Sequence, residues 1–193
     1  MTSDLRPAVV SAILFTILFG LAYPLVVTGI ADAVFPTQAQ GSLVRGSSGK
    51  VVGSALIAQR FSRPQYLHPR PSAAGNGYDA TNSGGSNLGP LNPDLAKRIK
   101  IAAAQLRADD GHQEIPDDAI TTSASGLDPD ISPAYALLQV ERVAKARGAS
   151  PEAVRALIWA HVVQPDLGFI GQPRVNVLAV NLALDDRHPM PHP

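Results

Sequence analysis

Residues 7–31 contain no Asp, Glu, Lys or Arg, and their core reads AVVSAILFTILFGLAYPLVVTGIA. At about 1.5 Å per residue, a helix of this length crosses the roughly 30 Å hydrocarbon layer of a bilayer with some tilt. The run therefore predicts a bitopic chain: one membrane helix, with the rest of the 193 residues on one side. The boundaries follow from it: a short N-terminus over 1–7, a transmembrane helix over 8–34, a folded domain over 35–187 and a flexible tail over 188–193. A cleaved signal peptide is the competing reading. The run is too long for an h-region of about 7–15 residues, and Arg6 is opposed by Asp4 in the segment before it.

Charge leaves the orientation open. Arg6 precedes the helix, whereas Arg45, Lys50, Arg60 and Arg63 follow it. Taken literally, that bias weakly favours a cytoplasmic domain. Inside the span, Pro24 removes one helical hydrogen bond and predicts a kink. Gly20 and Gly29 would let a partner helix approach closely. Residues 7–31 carry no Asp, Glu, Lys or Arg, so this stretch by itself builds no ion pathway.

Formal net charge is zero and only 17% of residues are charged. No Lys/Arg stripe exists to neutralise phosphates, which argues against nucleic acid as a partner. Cysteine is absent, which excludes disulfides and thiolate metal sites.

Behind the span, TQAQGSLVRGSSGKVVGSALIAQRF reads as a connector running into a strand or two. Residues 62–95 then show neither helical nor strand periodicity. So long an insert in a compact domain reads as an ordered, functional loop; Tyr66, His68, Arg70 and Tyr78 give it side chains that pack and bond. Helices follow. Asn92-Pro93, Ser132-Pro133 and Ser150-Pro151 are cap and first-turn pairs. Behind them come apolar faces: Leu95, Ile99, Ala102, Ala103 and Leu106; then Ala136, Leu137, Val140, Val143 and Ala144, stopped at Arg147-Gly148; then Val154, Leu157, Ile158 and His161. RVNVLAVNLALD (174–185) reads as a strand with a bulge or a short helical turn where its alternation changes phase. The expected fold class is α+β: one N-terminal membrane helix, then a mixed domain with helices on a small sheet.

Local chemistry is thin. GNGYDATNSGGSNLGP has the glycines of a phosphate loop, but no GK[ST] follows, so a structural loop is the stronger reading. Asp128 and Asp130 in GLDPDISP offer two hard-cation ligands without a third; turn and cap roles are simpler. His68, His112, His161, His188 and His192 are scattered, without zinc spacing. His161 is expected near a helix end. No Ser sits in a nucleophile elbow. Gln59 reads as a surface amide or as a contact to a partner.

The segments GSALIAQRF, SRPQYLHPRPSAAGNGYDATNSGGSNLGPLNP, TSASGLDPDISPAYALLQVERVAKARG and GQPRVNVLAVNLALD resemble, in order and over nearly the whole chain, the C subunit of bacterial Kdp-type potassium-transporting ATPases. The resemblance implies a non-catalytic accessory subunit without an active site of its own. It implies partners: a channel-like potassium subunit, a P-type ATPase subunit and a very small membrane subunit, in a bacterial inner membrane. It places the N-terminus in the cytoplasm and the domain outside it. It also implies a catalytic chaperone that raises the pump's ATP affinity, with Gln59 of LIAQ as nucleotide contact; no cofactor is firmly bound, and ATP is met only within the complex. An external Gln59 and cytoplasmic ATP conflict. Ala58 stands where a family glycine is expected. A membrane-anchored adhesion or ligand-binding domain is the alternative, and an anchored hydrolase a further one.

Overall fold

The computed structural model describes residues 4–46, 48–110 and 114–190. His112, His192 and the last part of the expected tail lie outside them. The chain divides into two compact units, Met1–Leu43 and Val44–Pro193.

In the first unit, α1 (Leu5–Ile17), a π-helical turn (Leu18–Ala22) and α2 (Tyr23–Val34) form one continuous 30-residue helix. The π turn ends at Ala22, two residues before Pro24. Tyr23 N–H donates to Leu18 O, so the ladder shifts register at the residue just before the one that has no N–H to give. A short α3 (Pro36–Ala39) follows. None of the helix from Leu5 to Val34 is buried. The helix is long and apolar enough to cross a membrane.

A two-stranded sheet follows, β1 (Leu43–Arg45) with β2 (Val51–Ser54). Residues 62–92 contain neither helix nor strand, as the missing periodicity over 62–95 predicts up to the start of the next helix at Pro93, whereas the strand expected to run on through GSALIAQRF ends at Ser54. Helix α4 (Pro93–Asp110) starts where expected: Asn92 Oδ1 accepts from Asp94 N–H at 2.8 Å. Its predicted face is only half-buried except at Ala103. A short α5 (Asp117–Ile120) leads to β3 (Asp130–Ile131). Then come α6 (Pro133–Leu138), α7 (Val140–Arg147), α8 (Pro151–Ala160), β4 (Val162–Val163), β5 (Arg174–Asn176) and α9 (Val177–Arg187).

Strands β3, β5 and β4 form an antiparallel sheet with β5 in the middle. Val175 faces Ile131 on one side and Val162 on the other. Helices α6 and α9 pack on β5, and α8 packs against α6, α7 and α9; the core is Ala136, Val140, Val143, Val154, Ile158, Val175, Val180 and Leu184 with their neighbours. Each fully buried Val, Leu or Ile contributes about 1.5–3 kcal/mol.

Local signals account for the helix starts. Ser132 Oγ accepts from Tyr135 N–H and Ser150 Oγ from Ala153 N–H. Gly148 ends α7 at φ +64°, a left-handed C-cap that costs glycine least. Two expectations are corrected. The helix expected across 133–147 is broken at Gln139, whose side chain is wholly buried. The strand expected over 174–185 stops at Asn176; residues Val177–Arg187 are helical. Asn176 Oδ1 accepts from Ala179 N–H at 3.0 Å and caps the new helix. Val177, Leu178, Val180, Asn181 and Leu184 then bury one helical face, so a period of 3.6 overrides the alternation.

Candidate functional site

Among the described residues, three places in the domain gather charged or amide side chains of interest. The first is a strap, residues 64–69 of the long loop, whose backbone is hydrogen-bonded by side chains instead of by a strand. Asn181 Nδ2 donates to Leu67 O at 3.0 Å, and its Oδ1 accepts from Leu67 N–H at 2.7 Å. Gln139 repeats the pairing one residue on: Nε2 donates to His68 O at 3.1 Å and Oε1 accepts from His68 N–H at 2.7 Å. Arg142 donates to Pro64 O and Tyr66 O. Arg147 donates to Gln65 O, Leu184 O and His188 O, and pairs with Asp185 at 2.8 Å. Its side chain is fully buried, and its guanidinium lies 5.1 Å from the centroid of the Tyr66 ring. The Tyr66 hydroxyl donates to Asp185, and burial together with that carboxylate pushes its pKa above the usual phenol value. Isolated amides inside a core are costly; here both ends of each amide find the strap's backbone, and Leu67 is driven to complete burial.

The second place lies at the sheet edge, where a cleft of about 600 Å³ is lined by Arg70, Asp118, Asp128, Asp130, Ser132 and Arg174. Its charges are mutually engaged. Arg70 pairs with Asp128 at 3.1 Å, and Arg174 with Asp130 at 3.3 Å. Asp128 Oδ1 accepts from Asp130 N–H, and Asp118 accepts from both Ser132 N–H and its hydroxyl. Burial raises the pKa of Asp130 and neighbouring Asp128 adds to the effect; the hydrogen bond from Asn176 and the charge of Arg174 oppose it. Among the described residues, no group of three or more His, Cys, Asp or Glu could hold a metal ion.

The third is Gln59. Its Nε2 donates to Val52 O at 2.8 Å, and a Cβ at Gly53 would overlap its amide. Oε1 is buried without a hydrogen-bond partner. The adjoining cavity, bordered by Val52, Tyr66, Asn181 and Asp185, is about 230 Å³, below the 300–1,000 Å³ of most small-molecule sites.

The glycine-rich loop is built for close backbone packing. Gly126 has φ +67°, and a Cβ there would lie 2.7 Å from Ala74 N. Gly84 N–H donates to Ser125 O, and Ser72 Oγ to Gly126 O. Arg60 caps the turn through Asn76 O at 2.8 Å. Of the histidines, His161 ends α8 with Nδ1 2.8 Å from Leu157 O, as expected, and His68 sits in the strap. Gln139, Arg142 and Asn181 were not singled out in the sequence, and Arg147 was read only as part of a helix stop. Their signal was available, since Asn181 lies four residues from Val177 and three from Leu184, on the apolar face of its helix.

A profile described as KdpC, the K+-transporting ATPase c chain, matches residues 5–186. The chain is similar to the potassium-transporting ATPase KdpC subunit of Caulobacter vibrioides NA1000, with 65% identity over 189 residues, covering 98% of this chain and 96% of that one. The corresponding subunit of Beijerinckia indica is 60% identical over 195 residues, covering 100% and 98%. That of Koribacter versatilis is 48% identical over 193 residues and the full length of both chains.

Proposed function

The chain belongs to the KdpC family of potassium-transporting ATPase subunits, and on that premise we propose that it is the non-catalytic accessory subunit of an ATP-driven potassium importer. Its helix from Leu5 to Val34 is the anchor in a bacterial inner membrane, and its domain stands on the extracytoplasmic side. There it braces a channel-like subunit next to a P-type ATPase subunit and a very small membrane subunit. The observation that carries this reading is the similarity over residues 5–186, which takes in anchor and domain together.

Coupling to ATP turnover is indirect: the domain favours one conformation of the assembled pump, and so promotes potassium-dependent hydrolysis as a catalytic chaperone. The small cavity beside Gln59 and the engagement of its amide with Val52 and Gly53 support this route over direct nucleotide contact. Gln59 as an ATP contact is the rival route, and its buried, unpartnered Oε1 is the observation in its favour.

The test is co-expression with the neighbouring gene products in native membranes, purification through a C-terminal tag, and assay of potassium-stimulated ATPase. Co-elution of pump and channel-like subunits, with activity lost when this chain is omitted, is the expected result. A clean monomer despite verified expression of the others would refute it. Gln59→Ala separates the routes. An unchanged KM for ATP fits indirect coupling; a rise of roughly tenfold or more with intact assembly, a difference of about 1.4 kcal/mol, fits contact.

A further inference from the structure

The membrane helix has a gap in its backbone ladder, and the gap lies at its centre: Phe19 and Gly20 are the two middle residues of Leu5–Val34. On the N-terminal side, the last bond of the π turn runs from Tyr23 N–H to Leu18 O. On the C-terminal side, α2 has Ala22 as its N-cap, so its ladder opens with Val26 N–H on Ala22 O. Three carbonyls lie between these bonds, those of Phe19, Gly20 and Leu21. The residues that could serve them are Pro24, which has no N–H, and Leu25. One N–H closes one bond, so two of the three carbonyls are left without a donor from their own helix. Water would satisfy them at a surface. In hydrocarbon an open backbone acceptor is costly, and a spanning helix has to find it a partner.

The span does not repair the gap itself. Among the described residues, the one side chain of the span that donates to its own backbone is Thr16, and it goes to Ala12 O at 2.7 Å, toward the N-terminus and away from the gap. Thr28 lies seven residues beyond Leu21, about 10 Å along the axis. The gap is also uncovered, since nothing stands within 4 Å of the place a Cβ on Gly20 would take. Gly20 thus admits a neighbour to the acceptors that Pro24 leaves free. What complements two carbonyl oxygens in hydrocarbon is an O–H or N–H donor. Acyl chains carry none, whereas hydroxyl and amide side chains bond across helices in membranes. A parallel second copy would bring Leu18, Phe19 and Leu21 to this depth, and none has a donor in its side chain. We infer that the notch at residues 19–21 is an acceptor site for a hydroxyl or amide side chain on a membrane helix of another subunit of the same potassium pump; this rests on the accessory-subunit reading.

The test uses the full chain, co-expressed with the neighbouring pump subunits, extracted in mild detergent and washed with increasing detergent. Pro24→Ala supplies the missing N–H and closes the ladder, so it repairs the helix while removing the acceptors. It is expected to lower the yield of co-purified membrane subunit after the wash roughly tenfold, although the helix content of the chain alone, read by circular dichroism, holds or rises. An unchanged yield overturns the inference. Gly20→Leu covers the notch and is expected to lower the yield as well; a yield equal to the parent's also overturns it. The photo-crosslinker p-benzoylphenylalanine in place of Phe19 identifies the neighbour. Irradiation in native membranes is expected to join it to a membrane subunit. Joining to lipid or to a second copy alone overturns the inference, and the pump reading survives because the subunits still co-elute. If no pump subunit co-elutes with the unaltered chain, the functional reading itself fails and the inference falls with it.

Discussion

Replacing Asn181 by Ala removes both hydrogen bonds to Leu67, at 2.7 and 3.0 Å. Leu67 and Asn181 are 0% and 1% exposed, so water cannot take over. One N–H and one C=O are left unpaired in the core. Each costs about 1–3 kcal/mol, giving a loss of about 2–6 kcal/mol, which is large against the ~5–15 kcal/mol of a typical domain. Gln139 holds the adjacent residue of the same strap. Once Asn181→Ala has let the strap go, Gln139→Ala has less left to break. The double variant should therefore fall short of the sum of the singles by about 1 kcal/mol or more. Denaturant titration of the detergent-solubilised chain gives the energies, and amide exchange at Leu67 and His68 reports the strap directly. Additivity within about 0.3 kcal/mol, or a Leu67 amide still protected in Asn181→Ala, would refute the idea that these two amides clamp one segment.

Arg147→Lys should destabilise by about 3–5 kcal/mol, because one ammonium cannot serve Gln65 O, Leu184 O, His188 O and Asp185 together; a melting temperature within a degree of the parent would contradict this. Asp130→Asn tests the cleft through pH. A carboxyl whose folded pKa is raised binds more protons in the native state, so stability falls as pH rises from 3.8 through the folded value. The Asn variant should lack that decline and match or exceed the parent's melting temperature at pH 7. A clear loss at pH 7 would mean that the Arg174 pair outweighs the burial of the charge.

What the chain reveals in advance divides by the range of the interaction. The anchor is legible from composition, since no charge interrupts residues 7–31. The starts of α6 and α8 are legible because Ser132 and Ser150 cap neighbours three residues away. Helix α9 is misread for a local reason: Val175 and Val177 flank Asn176 in a strand-like alternation, and the cap that starts the helix is that same asparagine. The strap is missed for a distant one. Its partners lie 71 and 114 residues further along, and nothing local says which buried amide meets which backbone. A polar residue on an apolar helical face is the clue, as at Asn181 and at Arg147, four residues beyond Val143. Function was legible through long ordered segments of family likeness, while no short motif carried a reaction.

The separation between strap and clamps also sets an order of events. Residues 64–69 leave the ribosome long before Gln139, Arg147 and Asn181 exist, and loop closure over such spans is entropically slow to repay. Until α9 is complete, Leu67 has nowhere to hide and the strap's amides stay hydrated. Docking of the strap is thus the natural last step in maturation of the domain, and the step that a chain truncated before α9 would never reach.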